Sequence, residues 1–243
     1  MILSQHLGTE FTKLRLGRKT AYLHRDVAAL APALICAIDR VLRSGRAGAG
    51  NRASGYPLEV AGAPPLFVRR SRRGGLMRLM GDLYIDAVPR VLRELMLTAE
   101  ARRRGVPAPE PIGAIVETLA PMLHREALIT RAISGMTLWE FVQTDDDPQV
   151  RGHVLRLARQ AIDTMHEQGV LHDDLNLHNL FVSTAGDGFS VVILDFDKSR
   201  LYRRALSRGL RRRNLRRLAR SAAKLDPTGR YFDEAALAIL TGE

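Results

Sequence analysis

The chain has 243 residues, of which 46% are hydrophobic, and a formal charge of +11 at pH 7. This composition excludes a disordered chain and suffices for one compact domain or two small lobes. A single cysteine, Cys36, excludes an internal disulfide, fits a reducing compartment, and lies in an apolar stretch that predicts its burial. No secretory signal pattern occurs in the first 18 residues, and the most apolar stretch, Val27 to Leu42, is too short to span a bilayer. The positive charge indicates an anionic partner: nucleic acid, an anionic membrane surface or a small phosphorylated substrate.

The first part of the chain is predicted to be rich in strands. Apolar residues from Asp26 to Leu42 recur at helical spacing, and a glycine-rich turn follows up to Gly55. Tyr56 to Val60 and Leu66 to Arg69 are predicted to be short strands around a Gly-Ala-Pro-Pro turn. An amphipathic helix is predicted from Pro89 to Arg104, with proline at its start and glycine after its end.

The second part is predicted to be richer in helices. After the extended segment VPAPEP and a hairpin, a long amphipathic helix is predicted from Pro148 to Gly169. A short strand pair is predicted around the turn AGDG, and the chain beyond Ser199 is predicted to be helical and basic. The sequence HDDLNLHNLFV, followed by VVILDFDKSR, lies after the long helix.

Three oxygen-bearing side chains stand out in this stretch. Asp174 and Asn179 flank a short loop, and Asp195 ends an apolar strand that a hairpin returns to that loop. Magnesium prefers oxygen ligands and is usually held by one or two carboxylates together with substrate phosphates. A further carboxylate can orient and deprotonate an attacking hydroxyl, so the three residues suit phosphoryl transfer.

The same residues resemble the catalytic segments of protein-kinase-like enzymes. The run His172, Asp174, Leu175, Asn179 matches H-x-D-L-x-x-x-N, and Asp195-Phe196-Asp197 stands where those enzymes carry D-F-G. The resemblance implies that Asp174 is the catalytic base, that Asn179 and Asp195 hold magnesium, and that His172 braces the loop. It implies an α+β fold of two lobes in one domain: a small β-rich lobe with one key helix, residues 1–134, and a larger helical lobe, residues 135–243.

The resemblance also requires nucleotide-binding residues in the first lobe. Leu66 to Arg69 fits the strand that usually ends in lysine, with Arg69 in the place of lysine and Glu94 as its helix partner. Arg70 is the alternative if the strand register is shifted. The glycine-rich turn offers backbone amides to phosphates at three positions, Gly45, Gly48 and Gly50.

A narrower resemblance covers residues from about 45 to 218. The combination of RRGGL, D-L-N-x-H-N and D-F-D-K-x-R, followed by RRRNLRRLAR, is similar to the lipopolysaccharide core kinase family and most like its 3-deoxy-D-manno-octulosonic acid (Kdo) kinases. This implies ATP as phosphate donor, magnesium as metal, and a Kdo hydroxyl, expected at O4, on a lipid A precursor. It implies a peripheral position at the anionic surface of the bacterial inner membrane, on its cytoplasmic face. No nucleic-acid partner is expected, since aromatic residues are few and no nucleic-acid motif is present.

Basic segments outside the loop are candidates for contact with the acceptor. Arg72 and Arg73 beside two glycines, and the tail arginines from Arg208 to Arg220, suit an anionic glycolipid. A solvated helix face is the other interpretation of the tail. Asn176 replaces the lysine that serine/threonine protein kinases usually carry, which argues against a protein substrate.

Other functions remain open from the sequence. A heptose kinase of the same family, or a small-molecule kinase like the aminoglycoside phosphotransferases, would use the same three oxygen-bearing side chains. A pseudokinase or a basic binding module would be non-enzymatic, and the intact Asp174, Asn179 and Asp195 argue against the former.

Overall fold

A computed structural model describes residues 10–44, 55–70, 83–86, 88–184, 186 and 188–242. The chain forms two compact units. The first contains Met1–Ala99 and Glu110–Ala132, and the second contains Glu100–Pro109 and Ile133–Glu243. The sequence-based division into residues 1–134 and 135–243 of one domain stays a prediction.

The first unit is built on an antiparallel sheet, which has seven strands among the described residues and the order β1-β2-β6-β7-β4-β3, with β5 beside β7. Its strands are β1 Phe11–Leu16, β2 Lys19–His24, β3 Gly55–Leu58, β4 Leu66–Arg70, β5 Tyr84–Ile85, β6 Pro111–Ala120 and β7 Leu123–Arg131. The hairpin β1-β2 has no counterpart among the predicted elements. The predicted pairs β3-β4 and β6-β7 are present and antiparallel.

Helices pack on both faces of this sheet because successive strand residues point to opposite sides. A 3₁₀ helix, Arg25–Leu30, precedes α1, Ala31–Ser44, and α2 is Arg90–Arg103. One face forms a core with α1 and the other forms a core with α2 through Leu95. Cys36 lies on the outer side of α1 and is exposed, so its predicted burial is wrong. The inward positions of that helix are taken by Leu34 and Ile38.

The second unit is mainly helical. Its helices are α3 Leu138–Thr144, α4 Pro148–Glu167, α5 Arg208–Leu225 and α6 Glu234–Thr241. Its strands are β8 Gly135–Thr137, β9 Val170–His172, β10 Leu180–Ser183, β11 Ser190–Ile193 and β12 Ser199–Leu201. Among the described residues these form two small sheets, β11-β10-β8 and β12-β9. The strand β12 interrupts a segment that was predicted to be helical throughout.

Local signals explain where the helices of this unit begin. Asp147 accepts hydrogen bonds from the amides at the start of α4, and Pro148 occupies its first turn. Thr137 and Glu140 form a capping box on α3. The buried face of α4 then packs against β9 and β11, which are the strands that precede the two chemically unusual segments. No helix among the described residues is long and apolar enough to cross a membrane.

Candidate active site

The loop from His172 to Asn179 is fixed at its first residue. His172 is fully buried at the end of β9, its Nε2 lies 2.8 Å from the carbonyl oxygen of Leu194, and its Nδ1 lies 3.2 Å from the amide of Asp174. Burial lowers the pKa of His172, against the opposing effects of Leu194, Asp195 and Asp174. The ring is therefore neutral, with Nε2 as donor and Nδ1 as acceptor, and it braces the loop.

Two asparagine side chains shape the rest of the loop. Asn176 and Asn179 both donate from Nδ2 to the carbonyl oxygen of Asp174, over 2.7 and 2.9 Å. The Oδ1 of Asn176 accepts from the amide of His178. Because Nδ2 of Asn179 is committed to a carbonyl, its Oδ1 is the side-chain atom that can ligate a cation. Asn176 thus has a structural role that the sequence did not indicate.

Asp195 is tied to this loop through its neighbour Leu194. The amide of Leu194 donates to the carbonyl oxygen of Asn179 over 2.8 Å, and its own carbonyl accepts from His172. Asp195 has a φ of +63°, a left-handed conformation that is uncommon outside glycine and is tolerated best by Asn and Asp. Such a conformation persists where the surroundings fix it, and it is frequent at functional sites.

Two cationic side chains lie against the carboxylate of Asp174. Arg217 of α5 donates from Nη2 to Oδ1 over 2.6 Å, and Nζ of Lys198 lies 3.5 Å from Oδ2. Burial alone would raise the pKa of Asp174, but the Arg217 hydrogen bond and the charges of Lys198 and Arg217 outweigh it, and the pKa lies below its usual value. Asp174 is therefore ionised at neutral pH.

Helix α5 supports the loop with one of its faces. Asn214, buried in that helix, donates from Nδ2 to the carbonyl oxygen of His172 over 2.7 Å. Its Oδ1 lies 2.9 Å from Nε2 of the buried His166 of α4. Sequence reasoning did not single out Asn214, Arg217 or Lys198. Helical spacing offered a signal for Asn214, since it lies four residues before the buried Leu218.

The donor set around the loop fits a magnesium ion that also binds phosphate. No group of three or more His, Cys, Asp or Glu side chains able to hold a metal occurs in the part of the chain that the structure describes. Magnesium does not require such a group, because it is commonly held by one or two carboxylates plus substrate phosphates. The carboxylate of Asp195 and the Oδ1 of Asn179 are suitable ligands of that kind.

The first unit contains the predicted nucleotide-binding pair. Arg69 of β4 donates from Nη2 to Oε1 of Glu94 on α2, and the Glu94 side chain is almost fully buried. The start of α2 is held to the sheet by the buried Glu126, which accepts from the amide of Val91 over 3.3 Å and lies 3.0 Å from Nε2 of His124. The ion pair is present as predicted, whereas its role in binding a nucleotide stays a prediction.

Five predicted site residues lie outside the described residues. They are Gly45, Gly48 and Gly50 of the glycine-rich turn, and Arg72 and Arg73 of the proposed acceptor contact. Their roles stay predictions.

Comparison with known proteins identifies relatives over most of the chain. The sequence profile of the lipopolysaccharide kinase (Kdo/WaaP) family matches residues 66–236. A 3-deoxy-D-manno-octulosonic acid kinase of Xylella fastidiosa is 29% identical over 180 residues, which are 72% of this chain and 68% of the relative. Kinases of the same name from Vibrio cholerae and Vibrio parahaemolyticus are 30% and 31% identical, over 65% and 72% of this chain. The matched segments span 65% and 71% of those two relatives.

A solved structure shares the fold. The structure described as WaaP in complex with acyl carrier protein superposes with a TM-score of 0.50 and 16% sequence identity, over 84% of this chain and 82% of that chain. Together with the family match, this likeness confirms the predicted α+β, protein-kinase-like fold.

Proposed function

The chain belongs to the lipopolysaccharide kinase (Kdo/WaaP) family and is a phosphotransferase that acts on an alcohol group; from this premise, we propose that it transfers the γ-phosphoryl group of ATP to a hydroxyl of Kdo, expected at O4, on Kdo-lipid IVA. The observation that carries the chemistry is the geometry of the Asp174 loop. Asp174 and Asn179 both lie in this loop and are joined by a hydrogen bond. The amide of Leu194, the residue directly before Asp195, donates to the carbonyl oxygen of Asn179. The Kdo kinases among the relatives support Kdo as the acceptor sugar.

Asp174 is proposed as the base for the acceptor hydroxyl. As the hydroxyl oxygen bonds to the γ-phosphorus, the bond from that phosphorus to the bridging oxygen of ADP breaks, and the hydroxyl proton passes to the Asp174 carboxylate. The lowered pKa of Asp174 means that it is ionised and ready to accept a hydrogen bond at neutral pH. Neutral His172 holds the loop but does not compete for the proton.

Asn179 and Asp195 are proposed to hold magnesium, which when bound would neutralise charge on the phosphates. Asp195 has a left-handed backbone conformation, in which most other residues would be strained, and such conformations are frequent at functional sites. Arg69, oriented by Glu94, is proposed to bind a phosphate of the nucleotide. Gly45, Gly48, Gly50, Arg72 and Arg73 keep their predicted roles toward nucleotide and acceptor.

A peripheral position on the anionic surface of the inner membrane is also proposed. The support is the charge of +11 and an exposed stripe on α5 formed by Arg208, Arg212, Arg216 and Arg220, which recur every four residues. Each basic side chain near an anionic surface contributes about 1 kcal/mol of attraction.

The decisive experiment is a transfer assay with radiolabelled ATP and magnesium. The purified protein is given Kdo-lipid IVA, a heptosylated lipid acceptor and a generic protein substrate in parallel. We expect label on Kdo-lipid IVA, and its loss in Asp174→Ala. The control is Asp146→Ala, which removes an exposed carboxylate from the turn before α4 and should keep the label.

Each other outcome has a defined meaning. Label only on the heptosylated lipid would overturn the Kdo assignment and favour the heptose kinase that the sequence left open. Absence of label on every lipid, from protein that binds ATP, would overturn the proposed function.

A further inference from the structure

Arg217 is rigidly placed at its backbone and accessible at its head group. Asn214, Arg217 and Ser221 recur at three- and four-residue spacing and contact the catalytic loop from one face of α5. Asn214 and Leu218, on either side of Arg217 along this face, are buried. The Arg217 side chain itself is 46% exposed. A side chain whose helix is held by buried neighbours and whose head group is exposed to solvent suits the binding of a ligand group.

The charges of the side chains in contact with the Asp174 carboxylate exceed its own charge. Asp174 carries one negative charge, and Arg217 and Lys198 carry two positive charges against its two oxygens. Asp173, the adjacent carboxylate, is engaged by Arg200 over 2.6 Å. Asp174, Lys198 and Arg217 together therefore have a net charge of +1, and the charge of Asp195 is assigned in the proposed function to the magnesium ion, so an anionic group on the acceptor would neutralise the three.

The hydrogen bond between Arg217 and Asp174 is suited to exchange. Exposed pairs of this kind are weak, because water solvates both partners. Arg217 uses Nη2 on Asp174, while a guanidinium has five N–H donors in a planar fork that binds a carboxylate through two parallel bonds. A carboxylate on the acceptor can therefore bind the guanidinium through two hydrogen bonds, which is a stronger contact than the single bond to Asp174.

We infer that Arg217 recognises the carboxylate of a sugar-acid acceptor and, by binding it, positions the acceptor hydroxyl at the Asp174 oxygen that the guanidinium contacts in the free protein. The inference rests on the proposed function and adds the group by which the acceptor is selected. It makes Arg217 a specificity-determining residue, because a neutral sugar of the same shape would leave the guanidinium on Asp174.

The test compares two acceptors that differ in charge at one group. Transfer is measured on Kdo-lipid IVA and on the same lipid with the Kdo carboxylate converted to its methyl ester. A hydrogen bond to a charged group typically changes an equilibrium by roughly 10- to 100-fold, and we expect the protein to prefer the acid by about that factor in kcat/KM. In Arg217→Gln the ratio should fall to within about 3-fold of unity, with Arg217→Lys between the two because lysine keeps the charge and loses the fork.

A matched control separates recognition from general charge. Arg203→Gln removes the same charge from an exposed position before α5, outside the exposed stripe, and should keep the preference for the acid.

The outcomes distinguish the inference from the proposed function. If the protein labels the acid and the ester equally well, or if Arg217→Gln keeps the preference, the inference is overturned and the kinase activity stands. If the protein labels neither lipid, the proposed function fails and the inference fails with it.

Discussion

Two arginine–carboxylate pairs, one in each unit, differ in how far water reaches them. In the first unit, Glu94 is 5% exposed and its partner Arg69 is 32% exposed. In the second unit, Asp174 is 30% exposed and its partner Arg217 is 46% exposed. Breaking a buried pair leaves an uncompensated charge and is costly, whereas an exposed pair contributes little to stability. The first pair is thus part of the scaffold, and the second can change partners during a reaction.

The surroundings of the two pairs follow the same contrast. Glu94 lies on a helix whose start is held by the buried Glu126. Burial raises the pKa of Glu126, against the opposing charge of His124. Asp174 lies instead in a loop whose backbone is fixed by neutral groups, His172, Asn176 and Asn179. The carboxylate of Asp174 is contacted by the exposed cations Lys198 and Arg217. The groups that fix this loop are therefore neutral, and the charged side chains of Asp174, Lys198 and Arg217 are partly or largely exposed.

The largest expected effect comes from substituting Asp174, the acidic member of the exposed pair. Asp174→Asn keeps the shape of the side chain and removes its charge, so the transfer rate kcat should fall by about 10²- to 10⁴-fold, the usual contribution of a general base. The free energy of unfolding should change by less than about 1 kcal/mol, because the pair is exposed. Single-turnover transfer and urea unfolding measure the two quantities. A loss of stability without a loss of rate would reverse the contrast between the pairs.

Breaking the buried pair should have the opposite signature. Glu94→Gln leaves Arg69 beside a neutral amide, and we expect the free energy of unfolding to fall by about 2–3 kcal/mol, less than for a fully buried pair because Arg69 is partly exposed. The KM for ATP should rise. The control is Glu117→Gln on β6, which breaks a more exposed pair with Arg125 and should cost less than about 1 kcal/mol. Equal urea midpoints for the two variants would contradict the scaffold role of Glu94.

The neutral groups that fix the Asp174 loop can be tested at Asn214. Asn214→Ala removes the partner of the His166 ring and of the His172 carbonyl, which are both buried. We expect a loss of about 1–2 kcal/mol in the free energy of unfolding and a lower kcat, because the loop that carries Asp174 loosens. Gln160→Ala, which removes an exposed amide from α4, should change neither. If Asn214→Ala retains full kcat, helix α5 does not position the loop.

The catalytic loop was predictable because its residues lie within eight positions and follow a strand. The H-x-D-L-x-x-x-N spacing identified Asp174 and Asn179, and the apolar run before Asp195 identified the strand that brings it back. The pair of Arg69 and Glu94 and the fold class were predicted from the resemblance to protein-kinase-like enzymes. The structure shows the contact between the two residues and the fold class is confirmed, whereas the roles of the site residues stay predictions.

Contacts made by the tail helix were not predictable in the same way. Arg217 lies 43 residues after Asp174, among seven arginines of α5, and every one of them has the same local sequence chemistry. Which arginine meets the loop depends on the rotation of the helix, and that rotation is set by the burial of Leu215, Leu218 and Ala222. The tail is thus not a wholly solvated face, and the contact of its arginines with the acceptor stays a prediction. Its inner face holds the loop, and its outer face carries the exposed stripe.

The smallest expected effect concerns the protonation of His166 and its influence on the stability of the protein. Burial lowers the pKa of His166, despite its bond to Asn214, and its Nδ1 has no hydrogen-bond partner among the described residues. A histidine with a lowered folded-state pKa binds its proton more tightly in the unfolded chain, so stability is present above the unfolded pKa of about 6.5 and is lost as pH falls below it. Between pH 7 and pH 6 this loss is about 0.7 kcal/mol for one buried neutral histidine. His166→Gln, which cannot titrate, should show a urea midpoint that falls correspondingly less over this range. An unchanged pH dependence would mean that the pKa of His166 is the same in the folded and the unfolded protein.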